Sequence, residues 1–217
     1  MICSNTGARA KWCQRMALAL SVMALAGCSA LSPSATPTPT FYSLDSVRAT
    51  APTPAAATAP TLIINPPHAA AGFDSQRMIY VREPHKFEYF AHSEWIDPPA
   101  RMLGPLLVAA IEQTGAFRAV VLTPGAAAGD LRLDTEIIRL QHEFQIKPSR
   151  VRFTLRAYLV DDKTRRVLAW REFEGDVVAT SDDPYGGVLA ANRAVQNVLK
   201  DLSTFCAEAA RSVRPEK

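Results

Sequence analysis

The sequence has no apolar run long enough to cross a membrane as a helix. The run at residues 16–26 is interrupted at Ser21, whereas a spanning helix needs roughly 20 apolar residues. No acidic residue precedes this run, and three basic ones do: Arg9, Lys11 and Arg15. A basic segment followed by a short apolar one predicts a signal peptide over residues 1–27 and export of the rest.

Cysteine is scarce once this segment is removed. Cys3 and Cys13 leave with it, and Cys28 directly follows Leu25-Ala26-Gly27. This pattern resembles the lipobox of bacterial lipoproteins, which implies cleavage before Cys28 and acylation, including palmitate, of that residue. The alternative is an ordinary secretory signal that contains a cysteine by chance.

Cys206 is then the one thiol left, so the mature chain lacks the pair that an internal disulfide needs. An unpaired cysteine in an exported protein can form an intermolecular disulfide. Cys206 lies four residues after Leu202 and three before Ala209, which is the spacing of one helical face. We therefore predict that Cys206 is buried in the core.

The mature chain also lacks a surplus of charge of either sign. Residues 1–27 contain three of the 24 basic residues and none of the 21 acidic ones, which leaves 21 of each. A nucleic-acid surface needs a clustered basic patch on the folded domain. We therefore predict no nucleic-acid partner.

Three kinds of catalytic motif are absent from the sequence. Gly186-Gly187 lacks the lysine and hydroxyl residue of a phosphate-binding loop, and no Gly-x-Ser-x-Gly nucleophile elbow occurs. The histidines do not have the spacing of paired metal ligands on a helix: His68, His85, His92 and His142. We expect no enzyme, no metal and no cofactor.

Residues 28–60 are rich in alanine, proline, threonine and serine. Such a segment buries too little apolar surface to offset its ordering entropy, so we interpret it as a tether to the membrane. The exception is Phe41-Tyr42-Ser43-Leu44-Asp45, which we expect to dock as a short edge strand or to serve a partner in the same way.

A single domain is predicted over residues 61–213. Strands are predicted by apolar runs and period-2 alternation at residues 61–65, 78–81, 86–91, 117–122, 131–146, 150–159 and 166–178. The alternation changes phase at Ile137 and Ile138, which predicts a bulge. Turn residues predict hairpins at Glu83-Pro84-His85 and at Asp161-Asp162-Lys163-Thr164.

Two amphipathic helices complete the pattern. One is predicted to begin at Asp97-Pro98-Pro99, capped by Asp97, and to end at Gly115; the other begins at Asp182-Asp183-Pro184. Each has one wide apolar face. The predicted fold class is therefore α+β: a single, mostly antiparallel sheet with both helices packed on one face.

The chain resembles the ABC-type transport auxiliary lipoproteins, which are partners of mammalian-cell-entry (MCE) lipid transport systems. Four segments carry the resemblance: Phe41-Tyr42-Ser43-Leu44, Phe73-Asp74-Ser75-Gln76-Arg77-Met78-Ile79-Tyr80, Phe90-Ala91-His92-Ser93-Glu94-Trp95 and Ala190-Ala191-Asn192-Arg193-Ala194-Val195. The resemblance implies an accessory subunit, lipid-anchored in the outer membrane and facing the periplasm. Its partners would be an MCE protein and, indirectly, an ABC permease and ATPase.

Aromatic and arginine residues dominate interface hot spots, and we select Tyr42, Arg77, Phe90 and Trp95 as candidate partner-binding residues. For Trp95 the alternative is a packing role at the end of the core. The sequence does not determine whether the domain also forms a homo-oligomer. The rival functions are a periplasmic lipid-binding shuttle and an outer-membrane assembly or stress lipoprotein.

A second candidate surface is an arginine-rich strand face, which could meet an acidic partner or lipid headgroups: Arg150, Arg152 and Arg156, with Arg139 across from it. The following strand carries Glu172, Glu174 and Asp176. Because these acids would lie opposite the arginines across the hairpin, we predict internal pairing.

Overall fold

The computed structural model describes residues 38–45, 53–123 and 128–213. The signal peptide, Cys28 and most of the tether lie outside these residues. The described elements, in chain order, are β1 Thr40–Tyr42, β2 Thr61–Ile64, β3 His68–Ala69, β4 Arg77–Glu83, β5 Lys86–Trp95, α1 Pro99–Glu112, β6 Ala119–Leu122, β7 Leu131–Glu143, β8 Arg150–Asp161, β9 Val167–Val178 and α2 Pro184–Val213. The described residues from Pro39 onward form one compact unit.

Strand β7 is the centre of the sheet. One of its edges pairs along its whole length with β8, which pairs in turn with β9, and both ladders are antiparallel. Its other edge is shared by three short parallel partners in succession, β2, β3 and β4. Beyond these, β6 pairs with β2, and β5 and β1 extend the sheet from β4. The predicted α+β class with one sheet and two helices is confirmed, and the sheet is mixed.

The predicted phase change in β7 is a bulge. The register with β8 shifts between Ile137 and Arg139, so Leu133 and Ile137 before the bulge and Leu140 after it all reach the core. The prediction was wrong at Ile146, because β7 ends at Glu143 and Ile146 is 61% exposed in the following loop.

The two predicted hairpin turns are present. The β4–β5 turn is Pro84 and His85, with His85 in the left-handed region at φ 64°. In the β8–β9 turn, the Asp161 carboxylate accepts the backbone N–H groups of Lys163 and Thr164. Because these bonds stabilise its charged form, the pKa of Asp161 lies below its usual value.

Helix α1 begins without the predicted aspartate cap. The residue before it is Pro98, and Asp97 instead forms an ion pair with Arg101 at 3.0 Å. Proline at the start of a helix loses no intrahelical donor, so Pro98 and Pro99 fix the start sterically. At the other end the helix stops at Glu112 and its C-cap is Gln113 in the right-handed region, so the predicted end at Gly115 was wrong. Gly115 does adopt the predicted left-handed conformation, at φ 61°.

Helix α2 has a side-chain cap: the Asp183 carboxylate accepts the N–H of Gly186 at 2.8 Å. Its apolar face packs on β8 and β9. Gly175 of β9 lies so close to this helix that a Cβ there would be 2.7 Å from the Ala194 carbonyl oxygen. Cys206 is fully buried in the same core, as predicted, and burial raises the pKa of its thiol to about 12.

Candidate functional site

The N-terminal segment expected to dock forms strand β1 at one edge of the sheet. It runs parallel to β5, with Thr40 opposite Ser93 and Tyr42 opposite Trp95. The Tyr42 carbonyl accepts the N–H of Ile96 at 2.7 Å. Leu44 then enters the core, where it is 5% exposed. The segment that leaves the tether is therefore part of the folded domain.

Asn192 of α2 binds the backbone of the same segment. Its side-chain Nδ2 donates to the carbonyl of Ser43 at 3.2 Å, and its Oδ1 accepts the N–H of Asp45 at 2.7 Å. Asn192 belongs to one of the four segments that carried the family resemblance, but its spacing gave no sign of this role. The N-terminal segment is thus bound both to the sheet and to the C-terminal helix.

The four candidate partner-binding residues lie on β1, β5 and β4, which are neighbouring strands. Tyr42 is half-buried, and its ring centroid lies 6.3 Å from that of Tyr185 at the start of α2. Trp95 is 4% exposed and belongs to the core cluster. The packing role considered for Trp95 is therefore the one that the structure shows.

Phe90 belongs to a cluster of rings on the helix side of the sheet. Its centroid is 4.6 Å from Tyr80, 6.2 Å from His142 and 6.4 Å from Phe144. Phe90 is only partly buried, so part of its side chain stays accessible.

Arg77 lies on the opposite face of the sheet. It is exposed, its guanidinium carbon lies 4.9 Å from the centroid of the Tyr89 ring, and its register partner is Glu94. The structure therefore brings the four candidates to the same three strands but divides them between two faces.

A buried serine–histidine pair lies beside the ring cluster. His142 Nε2 is 2.8 Å from Ser149 Oγ, and both residues are buried. The nearby carboxylate, Asp182, accepts the backbone N–H of Ser149 at 3.1 Å, while His142 Nδ1 has no hydrogen-bond partner among the described residues. In a catalytic triad the acid holds this nitrogen and the serine is accessible. The arrangement therefore differs from that of a triad, and the bond from Ser149 to Asp182 joins the β7–β8 loop to the segment before α2.

Burial dominates the chemistry of this histidine. It lowers the pKa of His142 to about 4, against the opposing charges of Asp182 and Asp183. His142 is therefore neutral at physiological pH. Sequence reasoning found no metal-ligand spacing around His142. The signal for its burial was the alternation of β7, which places His142 in phase with Leu140 on the apolar face.

The arginine face is paired internally, as predicted. Arg150 bonds Asp176 at 3.0 Å, and Arg152 lies 3.4 Å from both Glu143 and Glu174. Arg156 binds Glu172 at 2.6 Å and Glu136 at 3.5 Å. Arg150, Arg152 and Arg156 each have a carboxylate partner, so they are not free cations for an acidic ligand. Arg139 lies opposite Thr154 and forms no ion pair among the described residues.

Within the described ranges, no three histidine, cysteine, aspartate or glutamate side chains come together as a metal site. The same residues include no helix with both the length and the apolar character of a membrane span. The pocket between Phe90, Trp95 and His142 measures about 20 Å³, which holds a water molecule at most. A shallow groove of about 440 Å³ runs between α1 and α2, along Leu106, Ala110 and Leu199.

Comparison with known proteins gives the following matches. A family model described as "ABC-type transport auxiliary lipoprotein component" matches residues 42–203. No curated protein matches the chain. The crystal structure of protein XCC0632 from Xanthomonas campestris is 22% identical, with a TM-score of 0.70 over 80% of this chain and 97% of that one. A second crystal structure, of an uncharacterized protein, is 12% identical, with a TM-score of 0.61 over 78% of this chain and 99% of that one. These structures share the fold.

Proposed function

The chain belongs to the family of ABC-type transport auxiliary lipoprotein components, and we propose that it is the non-catalytic, lipid-anchored accessory subunit of an intermembrane lipid transport system. Cys28 carries the acyl chains, and more than one chain is needed for a stable anchor. The domain faces the periplasm from the outer membrane and docks an MCE protein, which connects it indirectly to the ABC permease and ATPase.

The attachment of β1 is the observation that carries this proposal. An accessory subunit that presents a docking surface near a membrane benefits from a tether that enters its folded domain at a defined place. Here the segment next to the tether pairs with β5, buries Leu44 and is bound by Asn192. A tether that ended in a free loop would still attach the domain, but it would not fix the point at which the chain enters the fold.

The docking surface that we propose is the edge formed by β1, β5 and β4. Tyr42, Phe90 and Arg77 have accessible side chains there, and aromatic and arginine side chains contribute most to binding at interfaces. Trp95 supports this edge from the core. The described contacts leave β1 without a second neighbouring strand, so its outer edge is available to a partner strand.

The rival shuttle function is less well supported. A shuttle has to enclose acyl chains, and the interior pocket near Trp95 is only about 20 Å³. The groove between α1 and α2 is larger but lies at the surface. The second rival function, an outer-membrane assembly or stress lipoprotein, would need a partner other than an MCE protein. No feature of the described residues favours such a partner.

The test is a pull-down of the native lipoprotein from detergent-solubilised envelopes, followed by mass spectrometry of proteins and lipids. The expected result is an MCE protein with its permease. Arg77→Ala should reduce this recovery with little change in thermal stability, whereas Val167→Ala, an exposed control on β9, should not reduce it. Tyr42→Ala should also reduce recovery, and because Tyr42 packs on the core its recovery is compared at a temperature at which the variant is still folded. Recovery of phospholipid without these proteins would reject the adaptor function and favour the shuttle.

The anchor is tested separately. Intact-mass measurement of the mature protein should show acylation at the Cys28 amino terminus, and Cys28→Ala should move the protein to the soluble envelope fraction. A mature chain that begins elsewhere and carries no acyl group would reject the anchor.

A further inference from the structure

One end of the sheet brings together two connections that are far apart in sequence. These are the β4–β5 turn, at Pro84 and His85, and the β7–β8 loop, at residues 144–149. They are adjacent because β4 and β7 run parallel and end together: Val81 is in register with Glu143, and the N–H of Phe144 donates to the Val81 carbonyl at 2.8 Å. We call this region the hairpin end.

Bulky apolar side chains are exposed at the hairpin end. Phe87 is 53% exposed and Ile146 is 61% exposed. Exposed cationic side chains accompany them: Lys86 beside Phe87, and Lys147 beside Ile146. The one acidic side chain of the hairpin turn, Glu83, is paired with Lys86 at 3.2 Å.

This combination fits the interface of a phospholipid bilayer. Apolar side chains at loop tips gain free energy when they enter the boundary between headgroups and acyl chains. Lysines placed next to them interact favourably with anionic headgroups and can extend toward them. The same apolar side chains have no comparable benefit in water.

The direction of β1 indicates which end of the domain is nearest the anchor. Because β1 runs parallel to β5, the chain enters Thr40 from the end at which β5 begins, which is the hairpin end. Lys86 lies seven residues before Ser93, the partner of Thr40, so the turn is about 23 Å away at 3.3 Å per residue. The chain from Cys28 to Thr40 can extend up to about 40 Å. The connection is therefore long enough for the hairpin end to reach the membrane.

From these two observations we propose that the hairpin end rests on the bilayer that holds the anchor, with Phe87 and Ile146 in the headgroup region and Lys147 against anionic headgroups. This proposal rests on the lipid anchor at Cys28 that the proposed function assigns. It adds an orientation: the β8–β9 turn, at the opposite end of the sheet, points away from the membrane.

The experiment uses the full-length acylated protein in vesicles of phosphatidylethanolamine and phosphatidylglycerol. Ile146→Cys, Phe87→Cys and a control, Val167→Cys, are each labelled with an environment-sensitive nitrobenzoxadiazole probe. Val167 is 55% exposed and begins β9 at the opposite end of the sheet, so it matches Ile146 in accessibility. Cys206 is buried and stays unlabelled. Spin-labelled phospholipids then quench probes that lie in the bilayer.

The expected result is blue-shifted emission and several-fold stronger lipid quenching at residues 146 and 87 than at residue 167. Equal quenching at all three, or stronger quenching at residue 167, in protein that still floats with the vesicles would overturn the orientation while leaving the anchor intact. Protein that does not float would overturn the anchor and the orientation together. The measurement is repeated after envelope proteins are added to the vesicles. A blue shift at residue 146 that appears only then, without lipid quenching, would show that the hairpin end contacts a protein and would reject its contact with the bilayer.

Discussion

Asn192 holds the backbone of Ser43, across 149 residues of sequence, by donating its side-chain N–H to the Ser43 carbonyl. The same side chain accepts the N–H of Asp45. One side-chain amide on the C-terminal helix thus binds two backbone groups of the N-terminal segment, next to the tether.

We therefore predict that Asn192→Ala lowers the free energy of unfolding by about 1 kcal/mol, because the partly buried Ser43 carbonyl and the exposed Asp45 N–H both lose their partner. Limited proteolysis should also cut sooner near residue 45. Asn197→Ala is the control, since Asn197 is exposed on the same helix. Equal denaturation midpoints and equal cleavage in the two variants would contradict the role of Asn192.

The contact between Gly175 and α2 predicts a difference between two glycines. Gly175→Ala places a Cβ 2.7 Å from the backbone carbonyl of Ala194, which cannot move without shifting the helix. We expect a loss of about 1–3 kcal/mol in urea denaturation.

Gly104→Ala serves as the matched comparison. Its Cβ would meet the end of the Leu122 side chain at 3.2 Å, which can rotate, and alanine favours the helix by up to about 1 kcal/mol over glycine. We expect Gly104→Ala to be neutral or stabilising. A larger loss at Gly104 than at Gly175 would refute the packing of α2 on β9.

The buried His142 predicts that stability depends on pH. Its folded pKa is about 4, below the ordinary value of 6.5, so between these values the unfolded chain binds more protons than the folded one. Stability should therefore fall as the pH decreases from 6.5 toward 4, by up to about 3 kcal/mol from this residue. Asp182 and Asp183 have pKa values lowered from 3.8 by their hydrogen bonds and stay charged through this window.

His142→Gln tests this dependence, because glutamine can still bond Ser149 but does not titrate. Urea denaturation at pH 7.0 and 4.5 should show a smaller stability difference in the variant than in the unmodified protein. The same difference in both would show that other groups cause the pH dependence.

Burial of Cys206 predicts that its thiol is unreactive in the native state. The thiolate is the reactive form, and the pKa of about 12 leaves almost none of it at neutral pH. Alkylation by iodoacetamide should therefore be slow in buffer and rise in parallel with unfolding in urea. Rapid alkylation of the native protein, read by mass spectrometry, would contradict the buried position.

Several local features could be predicted because a few neighbouring residues determine them. The 3- and 4-residue spacing of apolar residues gave both helices and the burial of Cys206. The change of parity at Ile137 and Ile138 gave the bulge in β7, and the opposite charges of Arg150–Arg156 and Glu172–Asp176 gave the ion pairs across the β8–β9 hairpin. In each case a short-range pattern has one low-energy arrangement.

The pairing of β7 with β2, β3 and β4 was decided only by the tertiary structure. Strand order and direction depend on contacts between residues far apart in sequence, and alternation within a strand does not encode which neighbour it takes. The same holds for Asp97, which pairs with Arg101 instead of capping α1, and for the clamp from Asn192 to Ser43.

The candidate site was likewise predicted in part by local sequence patterns and decided in part by long-range contacts. Sequence alone pointed to an anchor at Cys28, to a docking strand near residue 41 and to aromatic residues on the later strands, because each has a distinctive composition. The division of Tyr42, Phe90 and Arg77 between two faces, and the burial of Trp95, arise from how β1, β5 and β4 pair and from the face that the helices cover. Those are properties of the folded sheet, because a side chain becomes buried or accessible only when distant elements pack against its strand.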